Sequence, residues 1–556
     1  MMFASDVPTP SVYFDEYIYS TMARAAVHFD LPGLLRYGGR EYYPPLYPLL
    51  LSPAYLFQNM HTSYFVMKLI NSILISTIVI PAWMLLRKFL GTTESAIFTL
   101  AVSFLPPVSI YPCFILSENL FLPLFLLAIV LEVETVVAPR KIKSMLLGLV
   151  IALCYLTRYN GILLFVPFVI VMFAKSVIDR AGKVFTNPRK TDLALSFLNL
   201  MKKQSTVLLA FCLGVAPYVF ARVWQYGATL SVAVGANVSY SSTLFVFPVL
   251  SEQIVAGFVE WTILHFNYGV LTSAVFLFST SLVALIDRHL DNGHRLSLLS
   301  LAFISSYLVL VVMASAVNLA YSAQYPWLYI SGRYVDPAIP GLVLIGLVGL
   351  KQAKIRSTHL SLILAFLLIS SISILSFPQI WRLVTPSQSI GINYLWLAYY
   401  ENPNGLWFSG WLLLLCFLPA AFLSIRRVRW DSRIVGACIV LLFLIGSVGA
   451  AGLVQWSANY SQHEIYVADW VVTHDIRNAT ILVDDASQIP RYRLFYGLDF
   501  WVWERHILLR FGNVSEVCTA NYFLSSASYN LPVLGSYATN GTQFFIYQAS
   551  GQCSWT

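Results

Sequence analysis

Two carboxylates stand side by side near the start of the chain, Asp15-Glu16, in the run Val12-Tyr13-Phe14-Asp15-Glu16-Tyr17-Ile18-Tyr19-Ser20-Thr21-Met22-Ala23-Arg24. A third, Glu118, interrupts an apolar stretch at Ser117-Glu118-Asn119. Two arginines occupy similar interruptions, Thr157-Arg158-Tyr159-Asn160-Gly161 and Ser331-Gly332-Arg333-Tyr334-Val335-Asp336-Pro337. A positioned carboxylate can take a proton from a hydroxyl. A guanidinium offers a fork of donors that matches a phosphate, and a helix N-terminus adds a favourable dipole for an anion. Each residue also has a plainer use. Asp15 and Glu16 could cap and open a helix, Glu118 could be an interfacial cap, and either arginine could anchor a helix at a membrane surface.

The elements that must position these groups are membrane spans. Of 556 residues, 58% are hydrophobic and only 11% charged, against roughly a quarter charged in soluble domains. The net charge of +8 falls mostly in short loops between apolar runs, so it signals topology and not a nucleic-acid partner. A spanning helix needs about 20 mostly apolar residues. Twelve runs qualify: 65–86, 96–112, 118–137, 144–157, 161–175, 205–224, 269–286, 296–317, 335–350, 359–376, 406–424 and 434–454. Their division of the chain is a first outer segment with an interfacial helix (1–64), a transmembrane domain (65–454) and an extracytoplasmic tail (455–556).

Cytoplasmic loops collect lysine and arginine. Six alternate connections do so, from Arg87-Lys88 to the cluster Arg426, Arg427, Arg429 and Arg433. The opposite side then holds residues 1–64, the Glu118 and Arg158 turns, 225–268, 318–334, 377–405 and the tail. Sequons at Asn459, Asn478, Asn513 and Asn540 in the tail, and at Asn237, fall on that side. The expected setting is the plasma membrane, with the tail outside. Residues 1–10 carry no basic or apolar leader.

Asp15, Glu16, Glu118, Arg158 and Arg333 therefore face one compartment near the membrane surface. Glu132 and Glu134, at the other end of their span, read as interfacial. A carboxylate at the depth of Glu118 is costly unless paired, hydrated or facing a cavity. Together the five suit transfer of a sugar from a lipid-linked phosphate to a hydroxyl: a carboxylate takes the acceptor proton, cations stabilise the departing phosphate, and the lipid enters between helices.

These residues also resemble a known family. Asp15-Glu16 with Tyr19 and Arg24, the approach Pro44-Pro45-Leu46-Tyr47-Pro48, Ser117-Glu118, Leu156-Thr157-Arg158-Tyr159-Asn160-Gly161 and Arg333-Tyr334…Pro337…Pro340 are similar to the motifs of GT-C membrane glycosyltransferases, in the branch of protein O-mannosyltransferases and lipid A aminoarabinose transferases. The resemblance implies an all-α polytopic fold with a small α/β extracytoplasmic domain and a polyprenyl-phosphate sugar as donor. The acceptor would be a glycan, lipid or protein. It makes Asp15 the general base, Glu16 its acidic partner, and Glu118 a second acid binding the acceptor or a divalent cation. Arg158 and Arg333 would hold the donor phosphate, with Tyr19, Arg24 and Tyr334 as further substrate contacts. It also implies one helix before Asp15 that this sequence lacks. No Trp-Trp-Asp-Tyr-Gly motif occurs, and Tyr43 stands where aminoarabinose transferases place a lysine before the double proline, so no sugar identity carries over. The rival functions are a transporter for lipid-linked sugars and an inactive scaffold of the same fold.

In the tail, a helix is expected over Ile465–Val472 and strands over Thr480–Val483, Val517–Leu524 and Thr542–Tyr547. Asp484-Asp485 would form a strand-end turn or touch the acceptor. Cys518 and Cys553 could pair. No GxGxxG or P-loop is present.

Overall fold

The structure is a computed structural model that describes residues 2–10, 14–35, 43–57, 59–184, 193–226, 252–273, 275–286, 293–322, 330–352, 389–392, 432–459, 462–539 and 541–549. It is a polytopic α-helical membrane protein with a small C-terminal α/β domain. Among the described residues, seven helices are long and apolar enough to cross a membrane, or eight if the bent pair Thr92–Ser103 and Pro106–Cys113, which meet at 62°, is one span. The expected spans at 359–376 and 406–424 lie outside the described residues.

One expected loop is a helix. Residues 225–268 read as an outer connection before a span at 269–286, but Glu252–Thr272 is an apolar helix of 21 residues followed by a second, Val275–Ile286. The pair lies antiparallel to the single helix Gly293–Ser322. His265 meets Ser315, Phe266 and Phe278 both meet Tyr307, Ser300 donates to the Ser281 carbonyl and Ser297 to that of Ala284. Partner numbers fall as residue numbers rise on both sides of the break, so the two pieces run in one direction along one neighbour. The polar residues Glu252, Gln253, Glu260 and His265 diluted the apolar signal in the first piece and hid it.

Helix Phe14–Val27 has no glycine or proline, acids in its first turn and Arg24 in its last, all agreeing with the helix dipole. Its Ile18 and Met22, four residues apart on one face, are buried. Phe29 lies beyond the helix end with a positive φ and is exposed. Glu134 pairs with Lys88, Lys143 and Arg295, its side chain 15% exposed. Glu132 is fully buried, and among the described residues neither of its oxygens has a hydrogen-bond partner.

The tail holds a five-stranded sheet of order β2-β1-β3-β5-β4, with strands β1 Thr480–Asp484, β2 Leu508–Gly512, β3 Tyr522–Ser525, β4 Val533–Thr539 and β5 Thr542–Gln548. β1 runs parallel to both β2 and β3, and the β3–β5 and β5–β4 pairs are antiparallel. The expected strand at 517–524 is half right: Val514–Thr519 is a 3-10 turn and only the end is strand. Asp484 is buried and accepts hydrogen bonds from Ala486 N, Ser525 Oγ and Tyr529 OH, so it closes the strand-end turn. Cys518 is disulfide-bonded; Cys553 lies outside the described residues. Helix Arg491–Val502 docks the tail against the membrane part. Its Tyr496 packs on Tyr17, and Trp501 contacts His61, Tyr64 and Thr9.

Candidate active site

Asp15 stands in the first turn of the helix Phe14–Val27, and the other charged side chains of the site sit at helix ends or turns that the local sequence explains. Helix Lys141–Thr157 ends where Arg158 turns extended (φ −150, ψ 133). The following turn folds back so closely that a Cβ on Gly161 would lie 2.5 Å from the Cys154 backbone, a contact only glycine avoids. Before the Arg333 turn a tyrosine ring takes the glycine's free space: a Cβ on Gly332 would sit 2.2 Å from the Tyr268 ring. Glu118 opens the helix Glu118–Val137. Asn119 holds that turn by donating to the carbonyls of Tyr111, Phe114 and Leu116.

These turns and the first turn of the helix Phe14–Val27 bring four charges together. Arg333 Nη2 donates to Asp15 Oδ2, and Arg333 Nε lies 3.0 Å from Glu118 Oε1. Arg158 Nη1 pairs with the same Glu118 oxygen. Tyr43 OH donates to Asp15 Oδ1 at 2.7 Å. Both guanidinium groups flank the Tyr334 ring, at 5.3 Å for Arg158 and 5.7 Å for Arg333. Two acids and two arginines make the cluster neutral as a unit. Glu118 is wholly buried, while Asp15 keeps 16% of its side chain exposed.

The other expected residues sit around this core. Glu16 is a helix step away from Asp15 and points into the loop before Glu118, accepting from Ile115 N at 2.9 Å. Tyr19 donates to Ser117 Oγ at 2.8 Å and packs edge-on against Tyr43 and Tyr47. Arg24 is not in the cluster: it stacks on Trp503, 4.1 Å from the ring centroid, and on Tyr55. Two guanidinium groups already face Glu118 Oε1 and would repel a divalent cation there, while Oε2 accepts from Ser117 Oγ at 3.5 Å. Among the described residues no group of three or more His, Cys, Asp or Glu side chains could hold a metal ion.

Three residues hold the frame without having been singled out from the sequence. Asp336 is fully buried and accepts from Tyr111 OH at 2.6 Å and Tyr268 OH at 2.7 Å. It thereby ties the Arg333 turn to the loop before Glu118 and to the helix Glu252–Thr272. The available signal was an acid three residues after an arginine in a segment that otherwise enters the membrane.

Burial alone would raise the pKa of Asp15, but Arg333, the Tyr43 hydroxyl and Arg158 more than offset it and hold the carboxyl below its usual value. Asp15 then stabilises the fold above its unfolded-state pKa of about 3.9, and that contribution is lost as pH falls through the lower folded value. If Asp15 is the proton acceptor, kcat/KM, which reports the free enzyme, should show no acid limb from this group between about pH 4 and 7. An essential ionisation near pH 6 that disappears in Asp15→Asn would contradict this.

No protein-family model matches the chain, and no curated protein matches it. Among solved structures it is similar to ArnT from Cupriavidus metallidurans in the apo state, with a TM-score of 0.46 and 14% identity over 99% of this chain and 96% of that one. It is also similar to ArnT from Cupriavidus metallidurans bound to undecaprenyl phosphate, with a TM-score of 0.45 and 13% identity over 100% of this chain and 97% of that one.

Proposed function

We propose that this protein is a glycosyltransferase that moves a sugar from a polyprenyl-phosphate donor to a hydroxyl on an extracytoplasmic glycan, lipid or protein. The observation that carries the reading is the bridge of Arg333 between Asp15 and Glu118, with Arg158 on the second acid. It sets two guanidinium groups, suited to a phosphate, beside a partly exposed carboxylate. In the reaction Asp15 takes the acceptor's hydroxyl proton, the acceptor oxygen bonds to the anomeric carbon, and the carbon–oxygen bond to phosphate breaks with its electrons left on the phosphate. Arg158 and Arg333 stabilise that charge, an effect largest in the transition state. A donor phosphate must compete with Asp15 for Arg333. As it does, Asp15 loses its strongest cationic partner and becomes a better base.

The helix breaks at residues 104–105 and after Thr272 are a feature that transporters also use. The first break, however, leads into the loop that holds Glu118, and the charges gather beside the Asp15 helix rather than along a path. Mass spectrometry of surface glycans from a strain lacking the gene tests the reading: one sugar should be missing and return with the wild-type gene. Unchanged glycans would refute it. The cluster should also lie on the side away from the cytoplasm, so a reporter active only in the cytoplasm should work after Lys190 and fail after Gln462; the reverse pattern would put the site in the wrong compartment.

A further inference from the structure

Arg24 is 7% exposed, and among the described residues its Nε and Nη2 have no hydrogen-bond partner. Among the described residues it forms no ion pair with any carboxylate. Its guanidinium lies between the rings of Trp503 and Tyr55, 4.1 and 5.4 Å from their centroids. Those rings and the C-terminal end of the Asp15 helix offset part of the cost of burying a charge. They leave Nε and Nη2 without a hydrogen-bond partner among the described residues, and an uncompensated buried guanidinium is expensive. The fork is therefore set for an anion that is not part of the described chain.

The position says which anion. Nine residues, two and a half helical turns, separate Arg24 from Asp15, so the two side chains leave opposite sides of the helix about 13 Å apart along its axis. Arg24 cannot share the donor phosphate held at Arg333. Its surroundings are those of a lipid contact. Leu56 and Phe57, which directly follow Tyr55, are 73% and 48% exposed, and Phe29, at the end of the Asp15 helix, is 95% exposed. We propose that Arg24, Tyr55 and Trp503 form a second phosphate site that takes the headgroup phosphate of an anionic membrane lipid and joins the Asp15 helix to the C-terminal domain at the bilayer surface.

The test uses the full chain in lipid nanodiscs and reads the thermal midpoint, so it does not depend on transferase activity, and its failure would leave the functional proposal standing. Exchanging phosphatidylcholine for phosphatidylglycerol should raise the midpoint of the wild type by about 2–4 °C. Arg24→Gln should lose that gain, and Arg24→Lys, which keeps the charge without the fork, should keep part of it. Inorganic phosphate added to phosphatidylcholine discs separates the sources. A gain from the lipid alone supports the headgroup site; an equal gain from inorganic phosphate, also lost in Arg24→Gln, would overturn the lipid assignment. If Arg24→Gln lowers the midpoint equally in both lipids while keeping the phosphatidylglycerol gain, Arg24 is only a latch between domains and the proposal is wrong. Should Arg24→Gln fail to insert, Arg24→Lys decides, since an undiminished lipid response without the fork would also sink the idea.

Discussion

Asp15→Asn is expected to insert and fold normally yet lose at least about 100-fold in transfer rate, the lower end of general-base effects. Asparagine keeps the size of the side chain and can still accept from Tyr43, whose hydroxyl lies 2.7 Å from Oδ1. Arg333 loses one anionic partner but keeps Glu118, 3.0 Å from its Nε, so no guanidinium is stranded. The change also removes the group that competes with the donor for Arg333. Donor binding should therefore be unchanged or tighter while turnover collapses, a split that general damage to the site would not produce. Near-wild-type turnover in a well-inserted variant would remove Asp15 from the base role and turn attention to Glu16 or Glu118.

Arg333→Ala should do more harm, and of another kind. From the sequence alone, a residue outside the spans looks easy to truncate. In the structure Arg333 is buried and carries both Asp15 and Glu118, so alanine leaves two acids with one arginine between them. Breaking a buried pair by removing one partner costs about 3–5 kcal/mol, and the midpoint of the variant should fall accordingly. In material that still inserts, donor affinity and turnover should both drop, with kcat/KM reduced by about 100-fold or more. The pKa of Asp15 should rise once its main cationic partner is gone. Arg333→Lys separates the two effects: it keeps a charge but cannot serve both acids with one fork, so stability should recover further than activity. Full activity in Arg333→Ala would show that the donor phosphate is held elsewhere.

The sequence made the membrane architecture legible because apolar runs of the right length leave few alternatives, and Ser117-Glu118-Asn119 and Thr157-Arg158-Tyr159 were conspicuous because charge is costly there. It misled where a span carries polar residues for packing: His265 hydrogen-bonds to the Trp261 carbonyl and meets Ser315 inside the helix pair, which made the segment read as a loop. The pairing inside the site was not legible at all. That Arg333 would choose Asp15, 318 residues away, depends on which helix breaks face each other, and no local pattern encodes that. Arg24 shared a helix with the acidic pair, yet its place on the opposite side needed the turn count and the docked tail to become visible. Two of the five described strands were missed, Leu508–Gly512 and Val533–Thr539, because consecutive apolar pairs (Leu508-Leu509, Val533-Leu534) and a glycine in each break a clean alternation.

The most direct measurement follows the donor carrier. Purified full-length protein in nanodiscs is given a polyprenyl-phosphate sugar labelled on the sugar, together with membranes from the gene-deleted strain as acceptor. Free polyprenyl phosphate should appear in step with label on the acceptor, and both should stop in Asp15→Asn while donor binding persists. Reconstituted vesicles in which the donor crosses the bilayer with its sugar still attached, and no free carrier is released by wild type or variant, would contradict the account.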